Sequence, residues 1–174
     1  DGDVRAVDAV CSLEGIRATF VKGRESFAIN SRLVGIFNLY NILAAAAACS
    51  ALGIGSAAIQ KGISLADGVP GRMERIENER GILVFVDYAH TADALTQVLT
   101  TLRAAGAQTI FTVFGCGGNR DRSKRPDMGR AVASLSTSVI VTSDNPRNEA
   151  PESIIAEIEP GLRAQGFVRA SRKG

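Results

Sequence analysis

Polar residues that could carry chemistry are concentrated in three short segments of the sequence. Residues 87–93 (DYAHTAD) contain His90, the only histidine, between two aspartates. Residues 115–126 (GCGGNRDRSKRP) are rich in glycine and basic residues, and residues 143–149 (SDNPRNE) combine carboxylates with Arg147. Glycine-rich loops can present backbone N–H groups to an anion, and an arginine can bind a carboxylate through two hydrogen bonds. The three segments therefore indicate the binding of phosphate or carboxylate groups.

An apolar run precedes each polar segment, and a segment of helical character follows it. The runs are residues 81–87, 109–114 and 138–142, and the predicted helices are 93–105, 125–135 and 151–165. Alternating strands and helices predict an α/β fold with a Rossmann-like, mostly parallel sheet that helices cover on both faces. Because ligands bind at the carboxyl ends of the strands in such sheets, we expect the three polar segments to line one edge.

The first part of the chain has a different pattern. Residues 15–29 alternate apolar and polar side chains on either side of a glycine-containing turn, which predicts a β-hairpin with one wet face. Residues 37–52 are rich in alanine and predict a helix that packs through its small side chains and is ended by Gly53. Glycine and proline in residues 64–71 indicate a linker, which places a domain boundary near residue 70.

Composition argues against several classes of protein. A net charge of +2, 5% aromatic residues and the absence of tryptophan disfavour nucleic acid and membrane surfaces as partners. Three cysteines without CxxC spacing and a single histidine disfavour a disulfide framework or a zinc site and suit a reducing compartment. The chain has neither a GxxxxGK[ST] phosphate loop nor a GxGxxG fingerprint. Since it begins with Asp1 and its only methionines are Met73 and Met128, we interpret it as a fragment.

Each polar segment also has a purely structural interpretation. The glycine-rich loop could be a solvated tight turn, and residues 144–147 could form a surface turn because Asn-Pro favours turns. His90 could cap a helix or contact a nucleotide, with Thr91 or Asp93 near the helix start. Arg72 and its neighbours could belong to an exposed, ion-paired segment.

Together these motifs resemble those of the ATP-dependent Mur ligases of peptidoglycan synthesis. The matching segments follow the family's order: GIFNLYNILAA at 35–45, PGRMER at 70–75, DYAHTAD at 87–93, GCGGNRDRSKRP at 115–126 and DNPR at 144–147. Ala92 stands where the family usually has proline, and Asn119 where it usually has aspartate. The DNPR segment resembles that of the members that add meso-diaminopimelate, whereas lysine-adding relatives usually differ at the position of Arg147.

The resemblance implies an ATP-dependent acid–amino-acid ligase. ATP would phosphorylate the D-glutamate γ-carboxylate of UDP-MurNAc-L-Ala-D-Glu, and the amine of diaminopimelate would attack the acyl phosphate. The residues expected to bind ATP are Asn38, Asn41, Arg72, Asp87 and His90. Those expected to bind diaminopimelate are Arg120, Asp144, Asn145, Pro146 and Arg147. No catalytic residue is assigned, and the ligands of Mg²⁺ are expected outside this chain.

The resemblance also implies a domain organisation. Residues 1–69 would be the hairpin and helical tail of the central ATP-binding domain, and residues 70–174 a truncated amino-acid-binding domain. With the phosphate loop expected before Asp1 and a final segment after Gly174, we expect no activity from the chain alone. Its partners would be small molecules only, and the protein would be cytoplasmic and monomeric. The open alternatives are a lysine-adding or folylpolyglutamate-type ligase and a noncatalytic nucleotide- or anion-binding α/β module.

Overall fold

The computed structural model describes residues 3–169. Within this range the chain forms two compact units that divide between Tyr88 and Ala89, with Ala104–Gly106 grouped with the first. The outer limits of the two predicted domains, residues 1–2 and 170–174, lie outside the described residues. The predicted boundary near residue 70 remains a prediction.

The first unit is built on an antiparallel sheet of three strands, β1 (Val4–Ser12), β2 (Gly15–Lys22) and β3 (Glu25–Ser31). Helices α1 (Ile36–Ala51) and α2 (Ser56–Leu65) follow. Alternate side chains of β2 and small or branched side chains of α1 share one core, whose most buried members include Ile16, Phe20, Ile29 and Ala46. The predicted hairpin and alanine-rich helix are confirmed. Gly53, at φ 79°, follows the end of α1 as expected.

The predicted strand at residues 81–87 differs from expectation. It is shortened to β5 (Val84–Val86), and it pairs antiparallel with β4 (Glu74–Ile76) in a two-stranded sheet of the first unit. The physical reason is the turn between them. The side-chain amide of Asn78 donates to the carbonyl of Ile82 at 2.9 Å, which closes a hairpin. The expectation of three parallel strands in one sheet was therefore wrong for this strand.

The second unit has the predicted α/β character. Its elements are α3 (Ala92–Ala104), β6 (Phe111–Phe114), α4 (Lys124–Leu135), β7 (Ser138–Val141) and α5 (Pro151–Arg163). Strands β6 and β7 are parallel, with Phe114 opposite Val141. Met128, Val132 and Ile158 are almost fully buried in the core that the helices share with the sheet. The α/β fold with a parallel sheet is confirmed.

Only one face of the β6–β7 sheet is covered among the described residues. The face that carries Phe114, Val139 and Val141 packs against the helical core. The opposite face presents Phe111 and Val113, which are 70% and 61% exposed, beside the exposed Ile140. The prediction that helices cover both faces was wrong for the described part of the chain. Side chains alternate between the two faces of a strand, so apolar residues at every position do not show which face is covered.

Candidate functional site

Two loops meet at the carboxyl ends of the parallel strands. We call residues 115–123, which follow β6, the glycine loop, and residues 142–150, which follow β7, the arginine loop. The backbone N–H of Thr142 donates to the carbonyl of Phe114 at 2.9 Å and continues the parallel pairing into the loops. Of the three polar segments expected at one edge, these two lie at the edge of the β6–β7 sheet. The expectation was wrong for residues 87–93, which follow β5 of a different sheet.

Hydrogen bonds join the two loops directly. The backbone N–H of Gly118 donates to the carbonyl of Asn145 at 3.1 Å, and the Arg147 guanidinium donates back to the carbonyl of Gly118. The backbone N–H of Asn148 donates to the side-chain oxygen of Asn119 at 3.0 Å. The two loops therefore form one hydrogen-bonded structure.

The glycines of the first loop allow this close approach. A Cβ atom at Gly118 would lie 1.8 Å from the carbonyl oxygen of Pro146, and one at Gly115 would lie 2.4 Å from that of Thr142. These distances exclude any side chain at either position without displacement of the arginine loop. The N–H groups of Gly118 and Asn119 are already bonded, to Asn145 and to Glu149 respectively. Close packing of the loops therefore accounts for these glycines better than an anion cradle does.

Backbone strain is concentrated in the same loops. Asn119, Asn145 and Arg147 have φ values of 51°, 43° and 51°. Asparagine tolerates this left-handed region comparatively well, whereas an ordinary side chain such as that of Arg147 is uncommon there. Strain of this kind costs on the order of 1–3 kcal/mol per residue and is most common at functional sites.

Two arginines converge beside Gly117. A Cβ atom built on Gly117 would lie 3.2 Å from an Nη of Arg147 and 3.9 Å from Cγ of Arg120. Asp144 lies beside Gly115, two residues before Gly117: a Cβ atom built on Gly115 would lie 2.9 Å from the Cβ of Asp144. Arg120, Asp144 and Arg147 are all exposed. The arrangement thus offers guanidinium groups for a carboxylate and a nearby carboxylate for an ammonium group.

The other basic side chains of residues 115–126 have partners within the fold. Arg125 is fully buried and donates to both oxygens of Glu149, at 2.9 and 3.0 Å, and to Glu157 at 2.7 Å. Arg122 pairs with Glu157, and Nζ of Lys124 donates to the backbone carbonyl of His90 at 2.9 Å. Arg122 and Arg125 are therefore neutralised by glutamates, whereas Lys124 keeps an uncompensated positive charge beside the loop. Their partners are 24 to 35 residues away along the chain, and no local pattern indicates such pairs.

These contacts shift the pKa values of the paired side chains. The hydrogen bonds from Arg125, supported by the N–H of Asn119, lower the pKa of Glu149 to about 2. Those from Arg122 and Arg125 also hold the pKa of Glu157 below its usual range. In return, the hydrogen bonds to Glu149 raise the pKa of the Arg125 guanidinium, although burial opposes this shift. All these groups therefore stay ionised near neutral pH.

The predicted nucleotide-binding residues fall into smaller groups. In the first unit, Asn38 and Asn41 lie one turn apart in α1, and the Asn41 side-chain amide donates to that of Asn38 at 3.3 Å. The Arg72 guanidinium lies 5.0 Å from the centre of the Tyr88 ring. The backbone N–H of Met73 donates to a carboxylate oxygen of Asp87 at 2.8 Å.

His90 belongs to the second unit, just before α3. The hydroxyl of Thr91 accepts a hydrogen bond from the backbone N–H of Ala94 at 3.2 Å. Thr91 therefore caps the start of α3, and the role of His90 stays a prediction. The bond from Lys124 to the carbonyl of His90 connects the polar segment 87–93 to the start of α4.

Neither metal ligands nor a membrane span emerge from residues 3–169. No group of three or more His, Cys, Asp or Glu side chains in this range is arranged to hold a metal ion. None of the helices in the same range combines the length and the apolar character that a bilayer span requires.

Comparison with known proteins gives consistent results. A family model described as the Mur ligase, glutamate ligase domain, matches residues 71–173. The UDP-N-acetylmuramoyl-L-alanyl-D-glutamate–2,6-diaminopimelate ligase of Geobacter metallireducens is 52% identical over 164 residues, which cover 94% of this chain and 32% of that protein. The chain thus spans about a third of the length of the curated relatives it matches.

Solved structures agree on the architecture. A structure of a ligase of the same name has a TM-score of 0.68 at 43% identity and covers 92% of this chain and 33% of its own. Folylpolyglutamate synthase from Thermotoga maritima shares the fold, with a TM-score of 0.79 at 21% identity and coverage of 94% and 38%. With the family model matched over most of the second unit and the sequence similarity continuing through the first, the chain belongs to the Mur ligase family.

Proposed function

We propose that this chain carries the amino-acid site and part of the ATP site of a ligase that adds meso-diaminopimelate to UDP-MurNAc-L-Ala-D-Glu. The observation that carries the proposal is the joined pair of loops that presents Arg120 and Arg147 around Gly117, with Asp144 nearby. The names of the relatives that are 42–53% identical support the choice of amino acid.

The chemistry of the amino acid fits this arrangement. Diaminopimelate carries a second ammonium–carboxylate head, which lysine lacks. The carboxylate of that head would bind Arg147 and Arg120, and its ammonium group would bind Asp144. When a substrate without the distal carboxylate binds, the guanidinium groups lose water without gaining a partner. This costs binding free energy and disfavours lysine.

The role of these residues in the reaction is to position the substrate. Transfer of the ATP γ-phosphoryl group to the γ-carboxylate of D-glutamate gives an acyl phosphate. An amine of diaminopimelate then attacks the acyl carbon and phosphate leaves. Such steps depend on alignment and charge neutralisation rather than on a protein nucleophile. The two loops would hold the distal head so that the reacting amine points at the acyl carbon.

On the nucleotide side, Asn41 is the better candidate for adenine. It is exposed, whereas Asn38 is half-buried and donates to the carbonyl of Val34 at 2.9 Å. Asn38 would therefore orient Asn41. Asp87 would bind the ribose while it fixes the segment that carries Arg72, which would reach the phosphates.

For His90, in the second unit, we propose a nucleotide contact as well. Mg²⁺ supplies charge neutralisation of the phosphates when it is bound, and we propose that its ligands come from residues other than those described here. Since the proposed substrates are ATP and a nucleotide-linked precursor, we propose a cytoplasmic enzyme. We also propose that it is monomeric.

The test uses the complete protein that contains this chain. Phosphate release is measured with ATP, UDP-MurNAc-L-Ala-D-Glu and either meso-diaminopimelate or L-lysine, for the wild type and for Arg147→Ala. Arg130→Ala is the matched control, because Arg130 is a partly exposed arginine of α4 that pairs with Asp127. We expect turnover with diaminopimelate whose kcat/KM falls at least about tenfold in Arg147→Ala and is retained in the control.

Two results would contradict the proposal. Preference of the wild type for L-lysine would assign the chain to a lysine-adding ligase. ATP binding without ligation of either amino acid would favour a noncatalytic nucleotide-binding module.

A further inference from the structure

Arg125 has an unusual environment for a charged residue. It lies in the first turn of α4, and its side chain is 0% exposed. Its two terminal nitrogens donate to both oxygens of Glu149, to Glu157 and, at 3.4 Å, to the carbonyl of Gly117. A buried charge is expensive unless it is paired and hydrogen-bonded. The fold therefore depends on these partners, and Arg125 has no surface with which to touch a substrate.

Glu149 connects this buried charge to the backbone of both loops. It belongs to the arginine loop, two residues after Arg147. Its Oε1 also accepts a hydrogen bond from the backbone N–H of Asn119, which directly precedes Arg120 in the glycine loop. Asn119 is held at φ 51° and accepts in turn from the N–H of Asn148. The carboxylate of Glu149 thus ties the backbone next to Arg120 to the loop that carries Arg147.

Glu157 anchors the assembly to a helix. It accepts hydrogen bonds from Arg122 and from Arg125, and it projects from α5. The four side chains, two arginines and two glutamates, sum to zero net charge. They therefore add no net positive charge for an anionic ligand, so their contribution lies in geometry.

We propose that Arg125 and Glu149 are positioning residues of the amino-acid site, which set the distance and orientation between Arg120 and Arg147. The inference rests on the proposed function for the identity of the amino acid. The joined geometry of the loops is independent of it. Displacement of a binding group by about 1 Å can cost roughly a hundredfold in rate, so loosening this pair should be measurable.

The main test is Glu149→Gln in the complete protein. The amide keeps the shape of the side chain but removes the charge. It can accept the bond from Asn119 but cannot accept from both terminal nitrogens of Arg125 as a carboxylate does. We expect KM for meso-diaminopimelate to rise at least about tenfold while KM for ATP stays within about twofold. Arg125→Lys, which retains the charge but loses the planar fork, should shift KM in the same direction.

Glu159→Gln is the matched control. Glu159 lies on α5, its side chain is 17% exposed compared with 21% for Glu149, and it pairs with Arg163 within the same helix. We expect the KM values of Glu159→Gln to equal those of the wild type. An unchanged KM for diaminopimelate in Glu149→Gln would overturn the inference. So would equal increases in the KM values of all three substrates, which would show a general folding defect.

Hydrogen exchange separates this inference from the proposed function. Amides of residues 115–123 and 142–150 should exchange faster in Glu149→Gln than in the wild type or in Glu159→Gln, whichever amino acid is the substrate. If the wild type does not use diaminopimelate but this loosening occurs, the proposed substrate is wrong and the positioning role stands. Unchanged exchange in both loops would refute the positioning role.

Discussion

The guanidinium of Arg147 donates a hydrogen bond to the carbonyl oxygen of Gly118, on the loop opposite its own. The guanidinium has five N–H donors, so this contact leaves others available for a ligand. A carboxylate is a stronger partner than a neutral carbonyl because the hydrogen bonds are charge-assisted. The contact with Gly118 therefore orients the Arg147 side chain and still leaves N–H donors for a ligand.

Replacement of Arg147 should reduce discrimination between amino acids more than it reduces stability. Arg147→Ala removes charge-assisted hydrogen bonds, each worth about 1.5–3 kcal/mol, so KM for diaminopimelate should rise roughly ten- to a hundredfold or more. Arg147→Lys should recover only part of this, because a lysine cannot bind a carboxylate bidentately. The measurement is the ratio of kcat/KM for meso-diaminopimelate and L-lysine. A ratio that does not change in Arg147→Ala would exclude this arginine as the specificity determinant.

Substitution of Gly118 should lower the stability of the second unit. The Cβ atom of Gly118→Ala would lie 1.8 Å from the carbonyl oxygen of Pro146, which is backbone and cannot rotate away. We expect a loss of at least about 2 kcal/mol in the free energy of unfolding, measured by urea denaturation.

Gly62→Ala is the natural comparison for this experiment. Gly62 lies inside α2 and has no heavy atom within 4 Å of its built Cβ. Alanine there should stabilise by roughly 0.5–1 kcal/mol, because glycine is the poorer helix former. Equal effects of the two substitutions would show that the close approach of the loops does not matter for stability.

Stability should depend on pH through Glu149. Its pKa is lowered to about 2 from a usual value of 4.5 by the hydrogen bonds from Arg125. The unfolded chain therefore binds the proton more readily. This contribution to stability is complete above about pH 4.5 and is lost as the pH falls toward 2. Melting temperatures from pH 6 to 2.5 should fall less steeply for Glu149→Gln than for the wild type. Parallel curves would show that this carboxylate is not the group responsible.

The buried thiol of the glycine loop should be unreactive. Cys116 is 2% exposed, and burial raises the pKa of its thiol. Cys11 and Cys49 are only half-buried. Since the thiolate is the reactive form, Cys116 should react with a thiol reagent at least about tenfold more slowly than Cys49. Mass spectrometry of the labelled peptides gives the order, and rapid labelling of Cys116 in the folded protein would contradict the described packing.

The sequence allowed the prediction of helices α3, α4 and α5 and of the meeting of two polar segments. These follow from periodicity and from the rule that parallel strands present their carboxyl ends together. Strand β1 was missed for a local reason. Its register shifts between Val7 and Val10, and Asp8 has φ 52°, so a bulge interrupts the alternation on which strand prediction depends.

The burial of Arg125 could not be predicted for a different reason. It stands among charged residues that look like an exposed helix start. Its burial depends on Glu149 and Glu157, which only the folded chain brings near. Pairing over such a distance is a property of tertiary structure and leaves no periodic trace in the sequence.

The interlocking of the two loops has a consequence for protein engineering. Transfer of only the four residues of the DNPR segment to another parallel sheet would introduce a turn with two left-handed residues, Asn145 and Arg147. That turn would lack the contacts that stabilise it here. Gly118 would also be needed, because only glycine leaves room for Pro146. So would Glu149 and Arg125, which pair with each other and join the two loops. The smallest unit that could be grafted with its geometry intact is therefore discontinuous in sequence. It consists of the glycine loop with Arg125 and of the arginine loop, which have to be transferred together.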